Sequence, residues 1–214
     1  ALQRMLTQWG FTAAFEVAGV PGNAIALRRR IERGEILGPL LLSVDAPFYP
    51  LGGTPIYVRK LYANNGWPSA EAATPDEARS RAVAQLASGA NGVKLFTGAI
   101  VGPPIGVVPM DGTVAKAAVE AAHEAGKPAF AHPTDMRGIE IALDAGVDIL
   151  AHTTPAGEPW PPALIDRLKA RGVALVPTLM LIESELAREN APEEIRARFA
   201  RNAAHQLRSY ARAG

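Results

Sequence analysis

KPAFAHPTDMRGIEIALDAGVDILAHTTP (residues 127–155) decides how the chain reads. It contains two short apolar runs, 127–134 and 147–154, each closing on Ala-His before Pro or Thr. Runs of this length bounded by Gly, Pro or Asp are the pattern of strands covered on both faces. Between them MRGIEIALDAGV carries apolar residues at helical spacing and stops at Gly146, a left-handed terminator. A strand, a helix and a second strand of these lengths imply a right-handed crossover and parallel pairing. His132 and His152, two of only 4 histidines, then sit at the carboxyl ends of adjacent strands. Side chains at that end of a parallel sheet converge on one opening.

The same grammar extends outward. TAAFEVAG (12–19), GPLLLSVD (38–45), NGVKLFTG (91–98) and GVALVPTLM (172–180) read as further strands, giving about six βα units. In ATPDEARSRAVAQLASGA (73–90), Thr74 and Glu77 form a capping box and Pro75 fits the first helical turn. Val83 and Leu86 mark its expected apolar face, and Gly89 its stop. DGTVAKAAVEAAHEAGK (111–127) turns Val114, Ala118 and Ala121 inward and stops at Gly126. PPALIDRLKARGV (161–173) stops at Gly172. The segments 46–73 and 97–112 break the rhythm and read as long loops at the carboxyl end of the sheet, the first a candidate pocket wall. The tail 191–214 is helical, with Ile195, Phe199, Leu207 and Tyr210 on one face. ALQRMLTQWG reads as the interior of a helix.

Composition narrows the chemistry. The 22 basic and 21 acidic residues leave a net charge of +1, so no field is present to hold nucleic acid. No apolar run approaches the roughly 20 residues of a membrane span. With 0 cysteines, disulfides, thiolate metal sites and a thiol nucleophile are excluded. The expected partner is a small-molecule substrate.

Lys94 stands inside an apolar strand, GVKLF. A buried ammonium is costly and its pKa falls. It can pair with a carboxylate, Glu16 or Asp45 being the candidates. It can act as a neutral amine, including as a Schiff-base nucleophile. Or it can become a carbamate and ligate metal. Two histidines at neighbouring strand ends favour metal, since imidazoles share a cation at roughly 2.0–2.1 Å. A scaffold in which the histidines merely pack is the non-catalytic alternative. Asp135 is either a support for a ligand or a helix cap. His123 and His205 read as surface residues, and Tyr49, Tyr57 and Arg59 as candidate substrate contacts.

GVKLFTG, EAGKPAFAHPTD, AGVDILAHTTP and GVALVPTLML together resemble the amidohydrolase superfamily, nearest its imidazolonepropionase- and prolidase-like metal-dependent hydrolases. GFTAAFEVAGVPGNAIALRRRIERGEILGP (10–39) is similar to the second βα unit of that family. The resemblance implies an α/β fold of the (β/α)8 TIM-barrel type, and a hydrolase acting on a C–N bond such as an amide, cyclic amide or dipeptide. It implies a divalent metal, zinc foremost, with up to two ions in a complete enzyme. Lys94 would be the carbamylated bridging ligand, and His132 and His152 ligands of the second metal. The family's His-x-His pair is nowhere in these 214 residues. The expectation is therefore a single partial barrel over 1–214, matching strands two to seven, without the first and eighth strands or the family's β-sandwich. Such a chain is expected to be impaired alone, and its open sheet edges suggest association into a homo-oligomer.

Overall fold

The structure is a computed structural model that describes residues 2–102 and 104–214, with Ile182 described by its backbone alone. Ala1 of the N-terminal segment and Pro103 of the 97–112 segment lie outside the described residues. The chain opens with α1 (Leu2–Met5) and a single tight turn at Thr7–Trp9. There follow β1 (Ala13–Glu16), α2 (Asn23–Glu32), β2 (Leu40–Ser43), β3 (Tyr49–Pro50), α3 (Ile56–Asn64) and β4 (Glu71–Ala72). Next come α4 (Pro75–Ser88), β5 (Val93–Leu95), β6 (Gly98–Gly102), β7 (Gly106–Pro109), α5 (Gly112–Glu124) and β8 (Ala129–Ala131). The rest is α6 (Met136–Ala145), β9 (Ile149–Leu150), α7 (Pro162–Ala170), β10 (Ala174–Leu175), α8 (Leu179–Arg188) and α9 (Glu193–Arg212).

β1 pairs parallel with β2, and β5, β8, β9 and β10 pair parallel in that order. The segment after β2 joins the two groups. Phe48 N–H donates to the Lys94 carbonyl at 2.7 Å, Phe96 N–H donates to the Phe48 carbonyl at 2.8 Å, and Asn91 N–H donates to the Ser43 carbonyl at 2.6 Å. The six strands thus lie side by side in chain order. The sheet is curved: Phe15 of β1 meets Phe130 of β8 edge-on at 4.9 Å, although β2 and β5 stand between them. A partial (β/α) barrel fits this mixed α/β arrangement.

Alternation along each strand sorts the side chains. Val93, Leu95, Ala129, Ala131 and Leu150 face outward into one buried core shared with Ala78, Ala82, Val114, Ala118, Ile139, Leu143, Leu164 and Leu168 of the surrounding helices. Lys94 and Phe130, paired in register, face the concave side. Alanine at so many contacts lets helices and sheet approach closely.

Several local expectations need correction. Segment 46–73 is no loop: it folds as β3, α3 and β4, and Tyr49 and Tyr62 pack in its own small core. Segment 97–112 is an antiparallel hairpin, β6–β7. The run 172–180 pairs only at Ala174–Leu175. Thr178 takes a left-handed conformation, φ 47°, and Leu179 already begins α8. On α4 the buried face is Ala78, Ala82 and Gln85, while Val83 is exposed. The Thr74 hydroxyl does accept from Glu77 N–H at 3.2 Å, but Glu77 reaches back to Ala73 N–H, one residue before the cap. Gly89, Gly126, Gly146 and Gly172 all have positive φ, as terminators should. On α9 the buried positions are Ala203 and Gln206, beside a half-buried Ile195, Phe199, Leu207 and Tyr210.

Candidate active site

His132 follows β8 and His152 follows β9, and their rings meet edge to face with centroids 4.5 Å apart. Phe96, one residue past β5, stacks on His132 at 4.6 Å. Tyr49 stacks on the other face of the group, 4.2 Å from Phe96. Lys94 Nζ lies 5.2 Å from the Phe96 ring centroid. Sequence alternation brings Lys94 and Phe96 to the same side of β5, and the sheet register brings β8 and β9 alongside.

Lys94 is 1% exposed, and among the described residues no ion pair or hydrogen bond reaches its ammonium. Neither proposed carboxylate takes it up. Glu16 accepts from Ala18 N–H at 2.8 Å and the Ser43 hydroxyl at 2.9 Å, and Asp45 accepts from Gly22 N–H at 2.6 Å. Burial lowers the Lys94 pKa to about 8, against a smaller opposing pull from Glu16. Burial lowers His152 to about 4, assisted by the Lys94 charge. His132 is pushed well below the usual histidine range by burial, then by His152 and Lys94. The two imidazoles are therefore held neutral and ligand-competent at neutral pH, while Lys94 gives up its proton more readily than an ordinary lysine. His152 Nδ1 is 2.6 Å from Thr178 Oγ1, which leaves Nε2 as the atom free to bind.

A cavity of about 280 Å³ opens on the two imidazoles. Ile100, Leu181, Leu186 and Phe199 give it apolar walls, with Thr134 and Thr153 near the rings. The loop after His152 is tied down from α9. Gln206, fully buried, accepts from Thr154 N–H at 2.9 Å and donates to the Thr154 and Glu158 carbonyls at 3.0 and 3.1 Å. Asn202 donates to the Pro155 and Gly157 carbonyls, each at 3.0 Å.

The other candidates fall elsewhere. Asp135 caps α6, accepting from Gly138 N–H at 2.8 Å. His123 pairs with Asp148 on the surface at 2.9 Å, and His205 is exposed. Tyr49 and Tyr57 line a second cavity, whereas Arg59 stands apart, donating to the Thr54 carbonyl beside Glu71. Phe96, Thr178 and Gln206 were missed. Phe96 was findable from its two-residue spacing to Lys94; Thr178 and Gln206 carry no local signal.

Among the described residues no three His, Cys, Asp or Glu side chains gather as a metal cluster, so a metal here depends on Lys94 as a donor. The donor set fits a divalent cation once Lys94 has lost its proton: two neutral imidazoles and a buried lysine with no other partner among the described residues. No helix among the described residues is long and apolar enough to cross a membrane.

No protein-family model matches the sequence, and no curated protein matches it. Solved structures do match the fold. A Xaa-Pro dipeptidase with methionine bound in its active site is 22% identical, with TM-score 0.73 over 95% of this chain and 52% of its own. An A. niger ochratoxinase is 24% identical, with TM-score 0.76 over 96% and 50%. An amidohydrolase is 21% identical, with TM-score 0.73 over 100% and 55%. The chain spans about half the length of these structures. It shares the fold of these three structures.

Proposed function

We propose that this chain, read as a single partial barrel over 1–214, belongs to a metal-dependent hydrolase of the amidohydrolase type, acting on a C–N bond of a small molecule. One observation carries the reading: Lys94 is buried with no partner among the described residues, beside two imidazoles held neutral at neighbouring strand ends. Its fold neighbours include a Xaa-Pro dipeptidase and a phenylurea hydrolase, which supports the C–N assignment.

In this reading His132, His152 and Lys94, the last as its carbamate, hold a divalent ion, and imidazole with anionic oxygen suits zinc. Such an ion, when bound, acidifies water and polarises a carbonyl. The chain's own residues do the rest. A neutral Lys94 amine can take up carbon dioxide with loss of one proton, which replaces a costly buried cation by an anionic donor. Thr178 keeps the His152 ring in place through Nδ1. Phe96 covers one face of the His132 ring, and the apolar walls of the cavity give a substrate an apolar surface beside the two imidazoles. Tyr49 and Tyr57 contact substrate from the neighbouring cavity, and Arg59 from an adjoining one that shares Tyr62 with it.

Elemental analysis of purified protein tests this. Wild type should hold metal, and Lys94→Ala and His152→Ala should lose it; retention at the wild-type ratio in either variant overturns the assignment. The low pKa of Lys94 equally suits a Schiff-base nucleophile. Trapping a carbonyl compound on Lys94 with borohydride would favour that second reading.

A further inference from the structure

On the far side of the Tyr49–Phe96 stack from the histidines lies a separate cavity of about 460 Å³, between the loop after β1 and helix α3. Four aromatic rings line it: Tyr49, Tyr57, Tyr62 and Phe96. Among the described residues lining it, Glu16 is the one carrying a full charge. Each Glu16 oxygen has a single hydrogen bond, so the carboxylate keeps lone pairs for a further donor. Tyr62 is 6% exposed and its hydroxyl has no partner among the described residues. The Tyr57 and Tyr62 hydroxyls both bear on Tyr49 and, with burial as the larger cause, resist its ionisation. The three tyrosines line one cavity.

Positive charges nearby are occupied elsewhere. Arg81 stacks on Phe48 at 3.7 Å and donates to the Pro47, Ser69 and Glu71 carbonyls. Lys94 faces Phe96 and does not line the cavity. The partial positive charge at the start of α2 is met by Asp45, which accepts from Gly22 N–H.

We propose that this cavity binds the ammonium group of a small organic cation, with the rings of Tyr49 and Tyr57 as its aromatic contacts and Glu16 as its counter-ion. Ring faces attract a cation through their quadrupole, and a carboxylate supplies the charge-assisted hydrogen bond that makes an amine preferable to an alcohol of the same shape. The site deepens the hydrolase reading, which gives Tyr49 and Tyr57 to substrate, while its binding does not depend on metal at His132 and His152. A ligand long enough to pass the Phe96 edge would reach both cavities.

Titration of benzylammonium into the wild-type chain, followed by calorimetry or amide chemical shifts, tests the inference. Benzylammonium should bind at least tenfold more tightly than benzyl alcohol, and benzoate should not bind. Glu16→Gln, which keeps an acceptor oxygen, should weaken benzylammonium about tenfold. Tyr57 is 75% exposed, so Tyr57→Ala should leave the circular dichroism spectrum unchanged while weakening binding roughly two- to fivefold, the span of an exposed cation–π contact. Equal binding of benzyl alcohol, or wild-type affinity in folded Tyr57→Ala, overturns the proposal; if Glu16→Gln fails to fold, Tyr57→Ala decides alone. Metal content, measured on the same samples, should stay at the wild-type value in Tyr57→Ala, which separates failure here from failure of the hydrolase reading.

Discussion

Thr178 Oγ1 lies 2.6 Å from Nδ1 of His152, and Thr178 holds φ at 47°, a conformation that β-branched residues avoid. A strained residue that touches a candidate ligand is the pattern expected where the surroundings over-determine a functional geometry. Thr178→Val keeps the side-chain shape and removes the hydroxyl. Metal affinity, measured by competition with a chromophoric chelator, should fall about 10- to 100-fold, the usual effect of losing the partner behind a histidine ligand. Thr178→Ser should stay close to wild type.

Lys94 supplies a pH test with a definite sign. Its pKa is lowered from 10.5 unfolded to about 8 folded, chiefly by burial. Between those values the unfolded chain binds more protons, so stability rises with pH across that window. Below about pH 8 the full cost of the buried cation is present, on the order of 3 kcal/mol at 1.36 kcal/mol per unit. Metal-free protein should therefore gain resistance to urea between pH 8 and 10.5. Lys94→Met should remove that slope and unfold at higher urea than wild type at pH 7.

Gln206 is a buried polar residue whose value lies in what it satisfies. Gln206→Leu leaves Thr154 N–H and the Thr154 carbonyl without their α9 partner. An unsatisfied buried group costs about 1–3 kcal/mol. Urea unfolding should show a loss in that range, and hydrogen exchange should rise in residues 153–158.

The Pro133 carbonyl, next to His132, is wedged between two glycines. A Cβ on Gly138 would fall 1.9 Å from that oxygen, and one on Gly98 would fall 2.3 Å from it. Both contacts are with backbone and cannot be relieved by a side-chain rotation. Gly138→Ala should cost more than about 2 kcal/mol, despite the helix propensity it gains, because the turn carrying His132 must move. An unchanged unfolding midpoint would contradict this packing.

Much of the fold was legible in local patterns. The alternation of short apolar runs with capped, glycine-stopped helices specifies parallel βα units because strand and helix bury different periodicities. The same patterns pointed to Lys94, His132 and His152, since a lysine in an apolar strand and two histidines at strand ends break a local rule. Where the reading erred, burial came from elsewhere. Val83 looks apolar enough to face inward, yet Ala78, Ala82 and Gln85 are the buried positions of α4. Segment 46–73 is rich in Gly and Pro, which masked α3, a helix secured by Tyr62 packing against Trp67 at 5.5 Å.

The sequence by itself determined the alternation of parallel strands and helices in the βα units and singled out Lys94, His132 and His152, because these follow from spacing along the chain. Only the tertiary structure decided that Lys94 has neither Glu16 nor Asp45 as a close partner, that Thr178 supports His152, and that Tyr49, Tyr57 and Glu16 share a cavity while Arg59 does not. Those relations depend on the curvature of the sheet and on where α3, α8 and α9 settle against it. Many distant contacts set that geometry jointly, and no stretch of neighbouring residues encodes it alone.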